Sequence, residues 1–277
     1  MADHAADLLT LLERAGPTLP AVRALHLPTA DPDSKDGEFC AIELEDGSMG
    51  LSFVRLDDSL ARLSVPGLAQ GLQGQEALAV ARHFRDGQGA WRTLGFAACN
   101  AIAQHLYARI GFVPPAATDS LAGLDPKPGD HIGMVGFFPP LVKQVPVTGA
   151  RLTVLELRAD LAGTHPSGAE VVLDPAALAG CNKILCTSTV LLNGTLDRIL
   201  QACRGAHQIA LIGPGASGLA QPLWDRGVTV LAGTQVSDPA GFAAALRSGT
   251  PWSPFARKFI LRREDDPGLA RLFPSSP

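Results

Sequence analysis

The sequence predicts an α/β protein: a mostly parallel sheet covered by helices, preceded by a smaller α+β domain. Three observations carry this. Strand-like and helix-like segments alternate after residue 130, as parallel βα units require. A hairpin followed by helices occupies the first 110 residues. Between them, Val113–Asp130 holds Pro114, Pro115, Pro126, Pro128, Gly123 and Gly129, which read as a linker. The expected domains are 1–118 and 119–277.

Along the chain, Leu8, Leu9 and Leu12 share one helical face. Ala21–Leu27 reads as a strand. Phe39–Leu44 and Met49–Val54 alternate on either side of Glu45-Asp46-Gly47-Ser48, and Asp-Gly favours a tight hairpin turn. Helices are expected over 74–86 and 90–109, the second rich in small residues that admit another backbone. Asn100 lies inside it; a buried amide there needs partners, either within the core or toward a cleft. Strands are expected at 132–136, 152–157, 183–187, 208–212 and 228–232. Helices are expected near 139–145, 175–180, 194–204, 217–226 and 240–248.

The bulk properties exclude several classes. The chain has 277 residues, 46% of them hydrophobic, and a net charge of −4, so it carries no broad basic field for nucleic acid. No apolar run reaches the roughly 18 residues of a membrane helix. The first residues lack the basic and apolar regions of a signal peptide. Five cysteines at irregular spacing make no disulfide framework. The expectation is a reduced cytoplasmic protein.

Ligands of open α/β sheets bind at the carboxyl ends of the strands, so the strand-to-helix loops are the candidate sites. Gly213-Pro-Gly-Ala-Ser-Gly218 matches G-x-G-x-x-G. It comes late in the sheet, Pro214 removes an N–H donor, and the following strand ends in Gly233-Thr234-Gln235 without an acid. NAD is therefore not expected. The first βα loop has the opposite composition: Gly136 is followed by Phe137, Phe138 and Pro139. Glu156 stands where a ribose-binding acid would fall, or pairs with Arg158. Thr187, Ser188, Thr189, Asn193, Gly194 and Thr195 form the richest polar cluster, suited to an anion or to N-capping. No histidine or cysteine spacing marks a zinc site; His131, His165 and Cys186 are the weak metal candidates.

Val135–Pro139, Thr187–Asp197, Ile212–Gly215 and Gly227–Thr234, in this order, resemble the Putative heavy-metal chelation family, a bacterial and archaeal family of unknown function. The resemblance implies a Rossmann-like second domain and an enolase-N-terminal-like first one. It also implies a role with metals, and hence a transition metal as a cofactor to test. Phe137 stands where the resemblance implies a polar residue, often His, and Cys186 is not implied by it.

The expected function is binding of a small anionic ligand, metabolite or metal complex in the cleft between the domains. The polar cluster supplies hydrogen bonds, Gly213, Gly215 and Thr234 admit backbone approach, and Phe137, Phe138 and Pro139 form an apolar wall. Asn100 and Glu156 complete the candidate set. An enzyme acting on a small metabolite and a metal-delivery protein are the alternatives. No catalytic triad is visible, and a homodimer is left open.

Overall fold

The structure is a computed structural model that describes residues 3–16, 19–29 and 38–274. Helix α1 (His4–Glu13) starts where the Asp3 carboxylate accepts the Ala5 N–H, and it buries Leu8, Leu9 and Leu12 as the spacing predicts. Strands β1 (Val22–His26), β2 (Phe39–Leu44) and β3 (Met49–Phe53) form an antiparallel sheet in the order β1-β2-β3. The β2–β3 turn falls on the expected residues. Gly47 takes φ +87°, and the Asp46 carboxylate accepts the N–H and O–H of Ser48.

The helix expected over 74–86 is not continuous. After α2 (Ser59–Leu63) and α3 (Leu68–Leu72), two short helices run there instead: α4 (Ala77–Ala81) and α5 (His83–Asp86). Turns at Gly67 and Gly74 separate the first three. Helix α6 (Ala90–Arg109) matches its expectation and is buried on all sides from Thr93 to Gln104. A helix apolar all round belongs inside a core. It lies between the hairpin and the second sheet. The backbone of β3 comes so close that a Cβ on Gly50 would fall on Ala101 N and Ala97 O.

The second sheet contains β4 (His131–Val135), β5 (Arg151–Leu155), β6 (Gly163–Thr164) and β7 (Glu170–Val172). It continues with β8 (Lys183–Thr187), β9 (Gln208–Ile212), β10 (Val230–Val236) and β11 (Ala256–Arg262). The strand order is β11-β10-β9-β8-β4-β5-β7-β6. The six inner strands pair in parallel, while β11 and β6 close the two edges antiparallel. Covering elements are α7 (Pro139–Val147), α8 (Thr189–Leu192), α9 (Leu196–Ala202), α10 (Gln221–Trp224) and α11 (Pro239–Ser248). Helix α12 (Leu269–Leu272) ends the described chain.

Both sheet faces are buried, which explains the nearly unbroken apolar runs of β4, β8 and β9. One face shares a cluster with α1 and α6, running from Leu8 through Phe96 to Cys186 and Leu211. The other packs Met134, Leu185 and Ala210 against Val142 of α7. Leu121 and Leu124 of the expected linker join this second cluster. The linker is also stitched to β11, where Ala117 N–H donates to Lys258 O and Ile260 N–H to Pro115 O. Arg257 belongs to the same seam: it donates to Pro114 O and Gln235 Oε1.

The chain runs from β4 outward to β5 and β7, then returns to β8 on the other side of β4 and continues to β9 and β10. The strand order therefore reverses between β4 and β8. Their carboxyl ends open a crevice there, the position at which such sheets take ligands.

Candidate functional site

A cleft of about 700 Å³ opens at this crevice. The loop after β4 gives Gly136, Phe137, Phe138 and Pro139, and the loop after β5 gives Glu156 and Leu157. The turn after β8 gives Thr187, Thr189, Asn193 and Thr195, and α9 adds Arg198. Glu38, Phe53 and Leu56, from the hairpin side, close the opposite wall. Leu157 and Leu173 on the rim are 82% and 47% exposed, so the mouth is strongly apolar.

Glu156 is held by backbone. Its Oε2 accepts Phe137 N–H at 2.9 Å, and its Oε1 accepts Leu157 N–H at 2.7 Å and Arg158 N–H at 3.2 Å. The Arg158 guanidinium pairs with Asp160 instead. Glu156 thus ties the β4 loop to the β5 loop, and most of its lone pairs are spent doing so.

The polar turn satisfies itself in a similar way. Thr187 Oγ1 accepts Thr189 N–H at 3.3 Å and donates to Thr189 Oγ1 at 3.1 Å. Asn193 Oδ1 accepts both the N–H and the O–H of Thr195. These are local turns rather than helix caps: neither Ser188 at the start of α8 nor Thr195 at the start of α9 makes a side-chain cap bond. The donors that remain on offer are the Thr189 O–H, the Asn193 NH₂ and the Arg198 guanidinium, while Thr195 Oγ1, its proton spent on Asn193, can still accept. Arg198 is exposed and makes no hydrogen bond or ion pair with a described residue.

Six residues of the expected set lie outside the cleft lining. Ser188 is buried beneath it, with its N–H on Ile212 O. Gly213 and Gly215 pack inward. A Cβ on Gly213 would stand 2.8 Å from Ser188 Oγ, and one on Gly215 would stand 3.0 Å from the Phe96 ring. The G-x-G-x-x-G loop therefore serves close packing on Ser188 and α6, and only the single-turn α10 follows it. Asn100 is fully buried in the same contact, donating to Leu51 O and Gly215 O. Thr234 is buried within β10, paired opposite Lys258. Gly194 sits beside Arg92.

Phe53, Leu56 and Glu38 were not legible as cleft residues, because only the tertiary packing brings the hairpin over the sheet. Arg198 carried a usable signal: it lies in the first turn of the helix that follows the polar loop.

The three metal candidates do not converge. His131 begins β4, at the end of the strand away from the cleft; its Nδ1 lies 2.7 Å from the Arg151 guanidinium, and its Nε2 is 2.9 Å from Thr153 Oγ1. Burial and Arg151 both lower its pKa. His165 Nδ1 bonds Ser167, and its ring edge meets Phe137 with centroids 5.7 Å apart. Cys186 is 1% exposed, and burial pushes its thiol well above the usual range. Among the described residues no three His, Cys, Asp or Glu side chains come together to hold a metal. Soft metals want thiolate or imidazole ligands, and the cleft presents oxygens already bonded to N–H and O–H groups. The described residues of the cleft do not fit a heavy-metal ion bound by the protein alone.

Two family profiles, both described as Putative heavy-metal chelation, match residues 37–103 and 119–264. No protein of curated function matches the chain. A crystal structure of a protein of unknown function from Desulfitobacterium hafniense is 21% identical with a TM-score of 0.70, over 94% of this chain and 98% of that one. A second, from Pyrococcus horikoshii, is 19% identical with a TM-score of 0.65 over the same shares, 94% and 98%. These likenesses show the fold. With its second half matched over residues 119–264, the chain belongs to the family described as Putative heavy-metal chelation.

Proposed function

We propose that residues 1–118 and 119–277 form two domains and that the cleft between them binds a small organic anion with an apolar body. One observation carries this reading: at the Thr189–Arg198 end of the cleft, the Thr189 O–H, the Asn193 NH₂ and the Arg198 guanidinium keep their donors after internal bonding. Donors beside a cation suit a carboxylate, sulfonate or phosphate. Phe137, Phe138, Leu157 and Leu173 suit the apolar remainder, since burying such surface drives association. A metal falls within this reading only when it arrives inside an organic complex whose outer face is anionic. The free state of all five cysteines supports a reducing cytoplasm as the setting.

The test uses 8-anilinonaphthalene-1-sulfonate, an aryl anion whose fluorescence rises in apolar sites. Saturable one-to-one binding is expected. Arg198→Ala should weaken it about fivefold, roughly 1 kcal/mol, because an exposed cation is partly screened. Phe137→Ser should weaken it further. Probe binding that is unchanged in an Arg198→Ala, Thr189→Val double variant sinks the proposal. Saturable micromolar Zn²⁺ or Ni²⁺ binding that competes with the probe would favour direct chelation instead.

A further inference from the structure

Helix α6 carries Asn100, Gln104 and Tyr107 on one face, at i, i+4 and i+7. They are 0%, 4% and 1% exposed. Asn100 Nδ2 donates to Leu51 O at 2.8 Å and to Gly215 O at 3.3 Å. Gln104 Nε2 donates to Ser217 O at 2.8 Å, and the Tyr107 hydroxyl faces Ala220. All three side chains are thus turned to the 215–220 segment after β9. The partners of both amides are carbonyls, which only accept, so their NH₂ groups must point that way. That fixes the amide oxygens elsewhere.

Asn100 Oδ1 and Gln104 Oε1 are left with no hydrogen-bond partner among the described residues, and the Tyr107 O–H finds no acceptor there. Asn100 Oδ1 is aimed at the segment, 3.0 Å from where a Cβ on Gly218 would stand. Buried polar groups in folded proteins are almost always paired, and internal water is the usual partner where protein atoms supply none.

We propose that the seam between α6 and the 215–220 segment holds a file of internal waters. They donate to Asn100 Oδ1 and Gln104 Oε1, and they accept the Tyr107 O–H. Water fits the balance of groups, because the two amide oxygens need a donor and the phenol needs an acceptor. A cation would meet the oxygens and leave the phenol proton unbonded. These oxygens also fall short of the roughly six to eight that a hard cation such as Ca²⁺ takes. The site lies outside the cleft lining and stands independently of the anion proposal. It has a mechanical consequence for the cleft all the same. The loop it cushions begins at Gly213 and Gly215, against Ser188, between the two cleft residues Thr187 and Thr189.

A high-resolution crystal structure of the full chain, grown with rubidium chloride as the salt, tests this. The expected result is a density peak within hydrogen-bond distance of each oxygen, with no rubidium anomalous signal. A dry seam, with the oxygens bonded directly to protein N–H groups, overturns the proposal, and so does an anomalous peak. In solution, oxygen-17 relaxation dispersion counts long-lived internal waters. Gln104→Met and Tyr107→Phe should each lower the count by about one. An unchanged count in a folded variant also overturns it, and if the variants fail to fold the wild-type crystal still decides.

Discussion

Arg92 Nε donates to Leu192 O at 2.7 Å, joining residues a hundred positions apart. The same guanidinium donates to Leu191 O at 3.4 Å and to Phe84 O at 2.6 Å, and lies 4.7 Å from the centroid of the Phe84 ring. Leu191 and Leu192 end α8, the turn that begins at Thr189 and runs on to Asn193. Helix α6 of the first part of the chain therefore pins the polar turn of the cleft.

Loss of this clamp should cost both stability and binding. Arg92→Met leaves carbonyls at the end of α8 without a donor, a loss of about 2 kcal/mol for charged hydrogen bonds in a half-buried place. Urea unfolding should show that loss. Anilinonaphthalenesulfonate affinity should fall along with it, because Thr189 and Asn193 lose their fixed position. Arg92→Lys should rescue little, since an ammonium cannot span carbonyls on both sides as the planar fork does.

The contact between β3 and α6 tolerates no side chain at Gly50. A Cβ there would fall on the backbone of Ala97 and Ala101, and neither atom can swing aside as a side-chain tip can. Gly50→Ala should destabilise the protein by at least about 3 kcal/mol, the upper range for overpacking. Gly71→Ala is the control, because a Cβ at Gly71 meets nothing within 4 Å. Thermal unfolding should separate the two variants clearly.

His4 makes stability depend on pH. Its ring is buried at 7% exposure, edge-on to Phe84. Burial first, and then the Arg226 charge, push its pKa down to about 3. The unfolded chain binds a proton on this histidine near pH 6.5, while the folded chain does not until about pH 3. The contribution of the neutral ring is therefore fully present above pH 6.5 and declines as the pH falls toward 3. At pH 5 the loss should reach about 2 kcal/mol. Urea midpoints at pH 7 and pH 5 should move apart more in the wild type than in His4→Leu. Equal shifts in the two proteins would exclude His4 as the source.

Much of the fold was legible because period and turn chemistry are local. Cys40, Ile42 and Leu44 alternate into the first sheet around an Asp-Gly turn, and the buried strands read as apolar runs. The 74–86 segment was misread as one helix. Its apolar spacing is helical and both pieces pack on α6, but the helix is interrupted at Arg82, where no Gly or Pro marks the place. The cleft was legible in halves. The Phe137 loop and the Thr187–Thr195 turn each stood out, although nothing in their own residues says that β4 and β8 are neighbours.

The sequence by itself determined the α/β class, the family and most of the strands, though not β6, β7 or β11, because these rest on hydrophobic period and on ordered short motifs. Tertiary structure alone decided which polar groups remain available. The same residue types serve a ligand, a turn or a buried joint, and only their neighbours separate these roles. Glu156 is spent on backbone N–H groups, Gly213 is spent on close contact with Ser188, and Gly215 on Phe96 of α6. Thr189, Asn193 and Arg198 keep donors facing the opening, because the return of the chain from β7 to β8 sets them beside the β4 loop.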